Sequence, residues 1–150
     1  MKNIFDLKET KAIIERIDKL DAYAKPQWGN MSVDQMLAHC NVTYEMIYDT
    51  KHPKPNTFKR FILKAIVKPY VVGEKPYKKN SRTAPEFVIS DSKNFVEEKA
   101  RLIDFINKTQ KLGKVYFDNK PSHSFGKLTA DEWNNLFYKH LDHHLRQFGV

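Results

Sequence analysis

Cysteine is nearly absent. Cys40 is the sole one in 150 residues, which excludes an internal disulfide and fits a reducing compartment. Long apolar runs are missing too: no stretch approaches the roughly 20 residues needed to cross a bilayer. The opening Met1-Lys2-Asn3-Ile4-Phe5-Asp6 lacks the apolar core of a signal peptide, so a cytoplasmic location is the expectation. There is no internal repeat, no low-complexity segment and no convincing run of strands. What is present, 41% hydrophobic and 13% aromatic residues, is enough for a single domain spanning 1–150 to bury a core without staples.

Acidic residues are scarce in one segment. Between Lys51 and Arg82 ten Lys or Arg residues face one acid, Glu74, so that stretch carries +9 of a total of +8 and the rest of the chain is nearly neutral. A uniformly basic chain would suggest a nucleic-acid binder. Here the excess sits in one loop-rich stretch, which reads as a solvated surface or a patch for an anionic ligand. Lys75, Lys78, Lys79 and Arg82 are the candidate anion-binding residues.

Four helices announce themselves through apolar spacing and start signals. The first begins at Asp6, with Glu9 three residues on, and carries Ile13, Ile14, Ile17 and Leu20. The second opens at Ser32-Val33-Asp34-Gln35, a capping box, and runs to about Tyr48 with Met36, Cys40, Thr43 and Ile47 inward. A third starts near Ser90-Asp91-Ser92 and stops at Gly113. The fourth opens at Thr129-Ala130-Asp131-Glu132, a second capping box, and ends at Gly149. The pattern predicts an all-α fold, a four-helix bundle with a long crossover between the second and third main helices. The crossover contains a short extra helix, Thr57 to Lys68, with Phe58, Phe61, Ile62, Ala65 and Ile66 as its apolar positions. Beyond it Pro69, Gly73, Pro76 and Pro85 predict an extended path from Tyr70 to Ile89.

Three of the six histidines, His140, His143 and His144, fall within five residues of the last helix. At about 100° per residue, His140 and His144 lie within about 20° of Trp133, at the centre of the apolar stripe. Imidazoles at core positions cost free energy unless their nitrogens find partners, and a shared metal ion satisfies two at once. The best third ligand is His39, at the edge of the apolar stripe of the second helix beside Met36, Thr43 and Met46. His143 lies on the flank of the stripe. His123, in Pro121-Ser122-His123-Ser124-Phe125-Gly126, is a weaker candidate for the mouth of a site. His52 reads as solvated, and Cys40 as a small core residue. Met36, Thr43, Trp133, His143 and Gln147 are candidate lining residues.

Trp28-Gly-Asn-Met-Ser-Val-Asp-Gln-Met-Leu-Ala-His39, His140-Leu-Asp-His143-His144 followed by Gln147, and the order of the helices together resemble the DinB-like superfamily. These are metal-binding four-helix proteins that include bacillithiol S-transferase-like members. Ser124-Phe-Gly-Lys-Leu-Thr-Ala-Asp-Glu-Trp133 and the ending His144-Leu-Arg-Gln-Phe-Gly-Val150 look like a branch whose function is unassigned. The resemblance spans essentially the whole chain and implies a metal triad of His39, His140 and His144. It gives His143 no place among the ligands.

Three neutral imidazoles leave room for water or substrate on a divalent ion, and zinc or nickel suits them. The thiol-using members of the superfamily imply attack of a metal-bound thiolate on an electrophile, with a low-molecular-weight thiol as cosubstrate. The basic stretch would then hold an anionic cosubstrate. A metal-activated water would instead make the protein a hydrolase, but the sequence offers no clear general base: Asp142 projects away and Glu45 lies off the apolar face of its helix. A non-enzymatic alternative is a metal-binding bundle that docks through residues 51–82 onto an anionic partner. A small-molecule substrate and a homodimer are the expected partners. Neither nucleic acid nor a membrane is, since no recognition helix or stacking motif accompanies the basic residues.

Overall fold

The computed structural model describes residues 1–150. Apart from one tiny hairpin the chain is helical: α1 (Leu7–Asp18), α2 (Val33–Tyr48), α3 (Thr57–Ile62), α4 (Lys68–Val72), α5 (Phe95–Phe117) and α6 (Ala130–Gln147), with β1 (Lys120–Ser122) and β2 (Gly126–Leu128) antiparallel between α5 and α6. No helix is long and apolar enough to cross a membrane. The helices start where local chemistry says they should. Asp6 caps α1 by accepting from Lys8 N–H, and both Ser32/Gln35 and Thr129/Glu132 form complete capping boxes. Each box satisfies two amide groups that the first helical turn would leave unpaired.

α2 lies at the centre. It packs on α5 and α6, and α1 packs on both of those as well. Every residue of α2 from Met36 to Glu45 is buried or nearly so except at its edges, and no polar face remains. The core runs from Ile13 and Ile17 through Leu37 and Tyr44 to Ile106, Trp133, Phe137 and Leu141. Phe137 is its hub: Tyr44 and Trp133 stack on it at 5.2 and 5.4 Å, and Phe117 meets it edge-on at 5.4 Å. Such a cluster adds aromatic geometry to plain area burial and fixes the height of α6 against α2.

The structure departs from the sequence expectations at four places. α5 is capped by Asn94, which accepts from Val96 and Glu97 N–H, rather than starting at Ser90–Ser92. Gly113 does leave the helical region (φ 73°), as its position predicts, but one more helical turn follows to Phe117. Where the sequence shows no convincing strand, residues 120–128 pair as a hairpin in which Ser122 Oγ ties Gly126 O and Phe125 N. Finally, the short helix does not end at Lys68. A π turn, Leu63–Val67, with Lys68 N–H bonded to Leu63 O, links α3 to α4 and carries the helical path through Pro69 to Val72. The wider turn accommodates a proline that has no amide hydrogen and whose ring would crowd the preceding carbonyls of a regular helix. The extended crossover therefore begins at Gly73, broken by a 3-10 turn at Pro85–Phe87.

The apolar positions of the same segment do not form its buried face. Phe58, Phe61, Ile62 and Ile66 face solvent, while Leu63 and Val67 turn inward over a cavity.

The cap at the head of α6 sets the start of the helix that carries two of the histidines. Thr129→Ala should lower the unfolding free energy by about 1 kcal/mol, read as a lower urea midpoint at unchanged slope.

Candidate metal centre

Each imidazole of the cluster is held by a separate part of the fold. His39 projects from α2, and its Nδ1 lies 2.9 Å from the carbonyl oxygen of Phe87. A carbonyl only accepts, so Nδ1 carries the proton and Nε2 is left with its lone pair. The 3-10 turn in the crossover supplies that carbonyl. His144 projects from α6, with Nδ1 2.8 Å from Gln147 Oε1. Gln147 Nε2 donates to Trp28 O at 2.8 Å, which turns Oε1 toward the ring and again leaves Nε2 of the histidine as the free nitrogen. His140 Nδ1 sits 3.1 Å from Thr43 Oγ1 on α2.

The three Nε2 atoms therefore converge. His39 Nε2 and His140 Nε2 are 2.9 Å apart, and the ligand atoms of all three residues lie within 4.8 Å of one another. Tetrahedral zinc with imidazole ligands needs nitrogens about 3.4 Å apart, a spacing that falls between the 2.9 Å of the closest pair and the 4.8 Å that bounds the set. A ring whose second nitrogen is fixed by an outer partner is the usual setting of a metal-bound histidine. Here all three rings have that arrangement. Without an ion the pair is also self-consistent: Thr43 donates to His140 Nδ1, and His140 Nε2–H donates to His39. Three buried histidines this close could hold a metal ion.

Burial drives the titration of the cluster. It lowers His39, drives His140 well below the ordinary histidine value and brings His144 down to about 3, with repulsion from neighbouring imidazoles adding to the effect at all three. At neutral pH all three are unprotonated, the state a metal requires.

The cluster forms part of the wall of a cavity of about 540 Å³ whose other walls are largely apolar, among them Met31, Met46, Leu63, Val67, Phe87 and Phe125. Its backbone support includes a glycine with a specific duty. Gly29 adopts φ 79°, and a Cβ there would stand 2.8 Å from Gln147 Nε2. Only glycine lets the Trp28–Gly29 turn approach close enough for Gln147 to reach Trp28 O.

The remaining candidates fall into place one by one. Thr43, Gln147, His143, His123 and Trp133 all reach the cavity wall. Thr43 and Gln147 do so as hydrogen-bond partners of the clustered rings. His143 is half-buried between Trp28 and Tyr77, at ring distances of 5.8 and 5.6 Å. His123 sits at the hairpin, its Nε2 3.3 Å from His52 O, apart from the cluster. Met36 is a correction: it is not on the wall but in the core, 3.8 Å from Cys40 Sγ, because its turn of α2 faces the other helices. Of the basic residues, Arg82 lines the cavity and Lys79 Nζ lies 4.3 Å over the Trp28 ring, whereas Lys75 and Lys78 are exposed and off the wall.

Two further sequence expectations fail. His52 is not simply solvated: its Nε2 is 2.8 Å from Glu45 Oε2. Glu45 is buried with ion pairs to Lys51 and Arg101 beside that contact, a polar cluster against α5. The periodicity also misses Lys139. At about 100° per residue it falls opposite Trp133, on the outer side of α6, yet it is buried, donates to Tyr70 O at 2.7 Å and to Gly73 O, and lies 4.5 Å from the Tyr77 ring. Burial lowers its pKa to about 8. It ties the last carbonyls of α4 to α6, a fitting place for a cation, and no spacing rule reveals it.

These features define a helical protein with a buried three-histidine cluster opening on an apolar cavity. A family model described as "Protein of unknown function (DUF1569)" matches residues 2–149, and the chain belongs to that family. Comparison with curated proteins and with solved structures returned no match.

The depressed histidines give the metal-free protein a signed pH dependence. The unfolded chain takes up protons as pH falls below about 6.5, while the folded cluster refuses them, so stability present above that pH is lost below it. The urea midpoint of chelator-treated protein should drop between pH 7.5 and 5.5. A midpoint constant over that interval would mean the imidazoles are solvated.

Proposed function

We propose that this chain is a DinB-like four-helix bundle that binds a divalent metal ion through His39, His140 and His144 and acts on a small, largely apolar molecule. The observation that carries the reading is the orientation of the three rings: each Nδ1 is engaged by an outer partner, so the three Nε2 atoms point at one place on the cavity wall. An all-nitrogen donor set suits zinc or nickel. When bound, such an ion supplies the positive charge that makes a thiol or a water nucleophilic at neutral pH.

Thiol transfer is the favoured chemistry, and the wall supports it by what it offers as bases. Glu86 is its one carboxylate, and Lys59 already holds it at 2.6 Å. A thiol is acidic enough to react without a general base, whereas water benefits from one. The chain's own residues then have plain tasks. Phe87 O, Thr43 and Gln147 hold the ligating rings, the apolar wall excludes water, and Arg82 with Lys79 meets the anionic end of a low-molecular-weight thiol. Metal-dependent hydrolysis is the second reading, favoured by His143, which burial keeps neutral on the same wall. It predicts turnover of esters or amides with no added thiol and loss of that turnover in His143→Ala.

Tag-free, chelator-free protein should carry close to one equivalent of zinc or nickel by elemental mass spectrometry, and His39→Ala and His144→Ala should carry none while keeping the helical circular dichroism of the parent. Gln147→Ala should retain the ligands yet bind metal about 10–100-fold more weakly. A wild-type protein that neither contains metal nor takes up added zinc or nickel would sink the reading.

A further inference from the structure

The segment from α3 to α4 has two faces with opposite surroundings. Leu63 and Val67 turn inward over the cavity. Outward, Phe58, Phe61 and Ile66 are 75%, 71% and 71% exposed, and Ile62 is 39% exposed between them. At helical spacing these four make one continuous stripe. Large apolar side chains scattered singly on a surface need no explanation, but a contiguous stripe of aromatic and branched residues does.

The charges that the segment itself carries are of one sign. No Asp or Glu occurs from Thr50 to Gly73, while Lys59, Arg60, Lys64 and Lys68 lie along the helix. Lys59 and Lys68 are engaged by Glu86 and Glu132. Arg60 and Lys64 are exposed and free of acidic neighbours. A second copy of the chain is a poor occupant for this face, since pairing would bring two acid-free basic helices together.

We propose that the α3–α4 segment docks the protein on an anionic phospholipid surface, contrary to the sequence expectation that no membrane is involved. Phe58, Phe61, Ile62 and Ile66 enter the boundary between headgroups and acyl chains, and Arg60 and Lys64 meet lipid phosphates at its level. This is how an amphipathic helix with basic flanks lies in an interface. The reverse side of the docked helix is the wall of the cavity, so an apolar molecule dissolved in the bilayer would meet the cavity at its nearest wall. The docking does not depend on the metal reading and is tested without it.

The test is co-sedimentation of the full chain with vesicles of phosphatidylglycerol and phosphatidylcholine mixed equally, against phosphatidylcholine alone. Binding is expected to the mixed vesicles only, and to weaken with salt as the charges are screened. The double variants Phe61→Ser/Ile66→Ser and Arg60→Glu/Lys64→Glu should each bind at least about tenfold more weakly. All six altered or neighbouring side chains are outside the core, so circular dichroism should be unchanged. His39→Ala should bind vesicles like the parent, which separates this proposal from the metal site. Failure to bind the mixed vesicles overturns it, as does binding that persists in the serine variant. A dimer by light scattering that the serine variant dissociates would assign the stripe to self-association and also overturn it.

Discussion

Keeping three imidazoles out of bulk water at the junction of α2 and α6 is the constraint on which the site depends. An imidazole removed from water must find a partner for each nitrogen or lose free energy. Six nitrogens in one small volume make that hard, and the solution reaches across the chain. Phe87 comes from the crossover, Thr43 from α2, Gln147 from the end of α6, and Trp28 from the turn before α2. The crossover is therefore more than a connection. Its 3-10 turn is the acceptor that sets the tautomer of His39.

The same demand explains why the helix ends matter so much. His140 and His144 lie on α6, whose position is set at its start by the Thr129 box and along its length by the stacking of Trp133 and Phe137. Its end is set by Gln27 N–H donating to Gln147 O at 2.7 Å. A ring can aim at a point in space only if the helix beneath it has no freedom to slide, and here it is held at three levels. Preorganisation of this kind would place the donors of an ion before one arrived.

Much of this was legible in the sequence, for identifiable reasons. Capping boxes are local, so Ser32 and Thr129 mark the starts of α2 and α6 without tertiary information. The i, i+4 spacing of His140 and His144 is likewise local, and it puts both on one face whatever they pack against. His39 could be chosen because its helix has an apolar edge on which it stands. Glu45 and Lys139 were misread because α2 and α6 are enclosed on more sides than one, and a helix wheel has only one inside. The hairpin was missed because three-residue strands carry no period. The continuation to Val72 was missed because a proline rule assumes a regular helix, and a π turn changes the geometry it rests on. The outward turn of Phe58 and Phe61 could not be read from spacing, which reports that a face is apolar and not what it meets.

Cys40 follows His39 in the chain, yet its sulfur is sealed in the core against Met36 and burial pushes its thiol strongly upward. The consequence concerns redox chemistry. Thiolates attack peroxides and disulfides, and this protein presents none to its cavity. A small thiol admitted there meets no protein sulfur with which to form a mixed disulfide, so the histidine cluster keeps its donors under oxidants that would disable a cysteine-ligated centre.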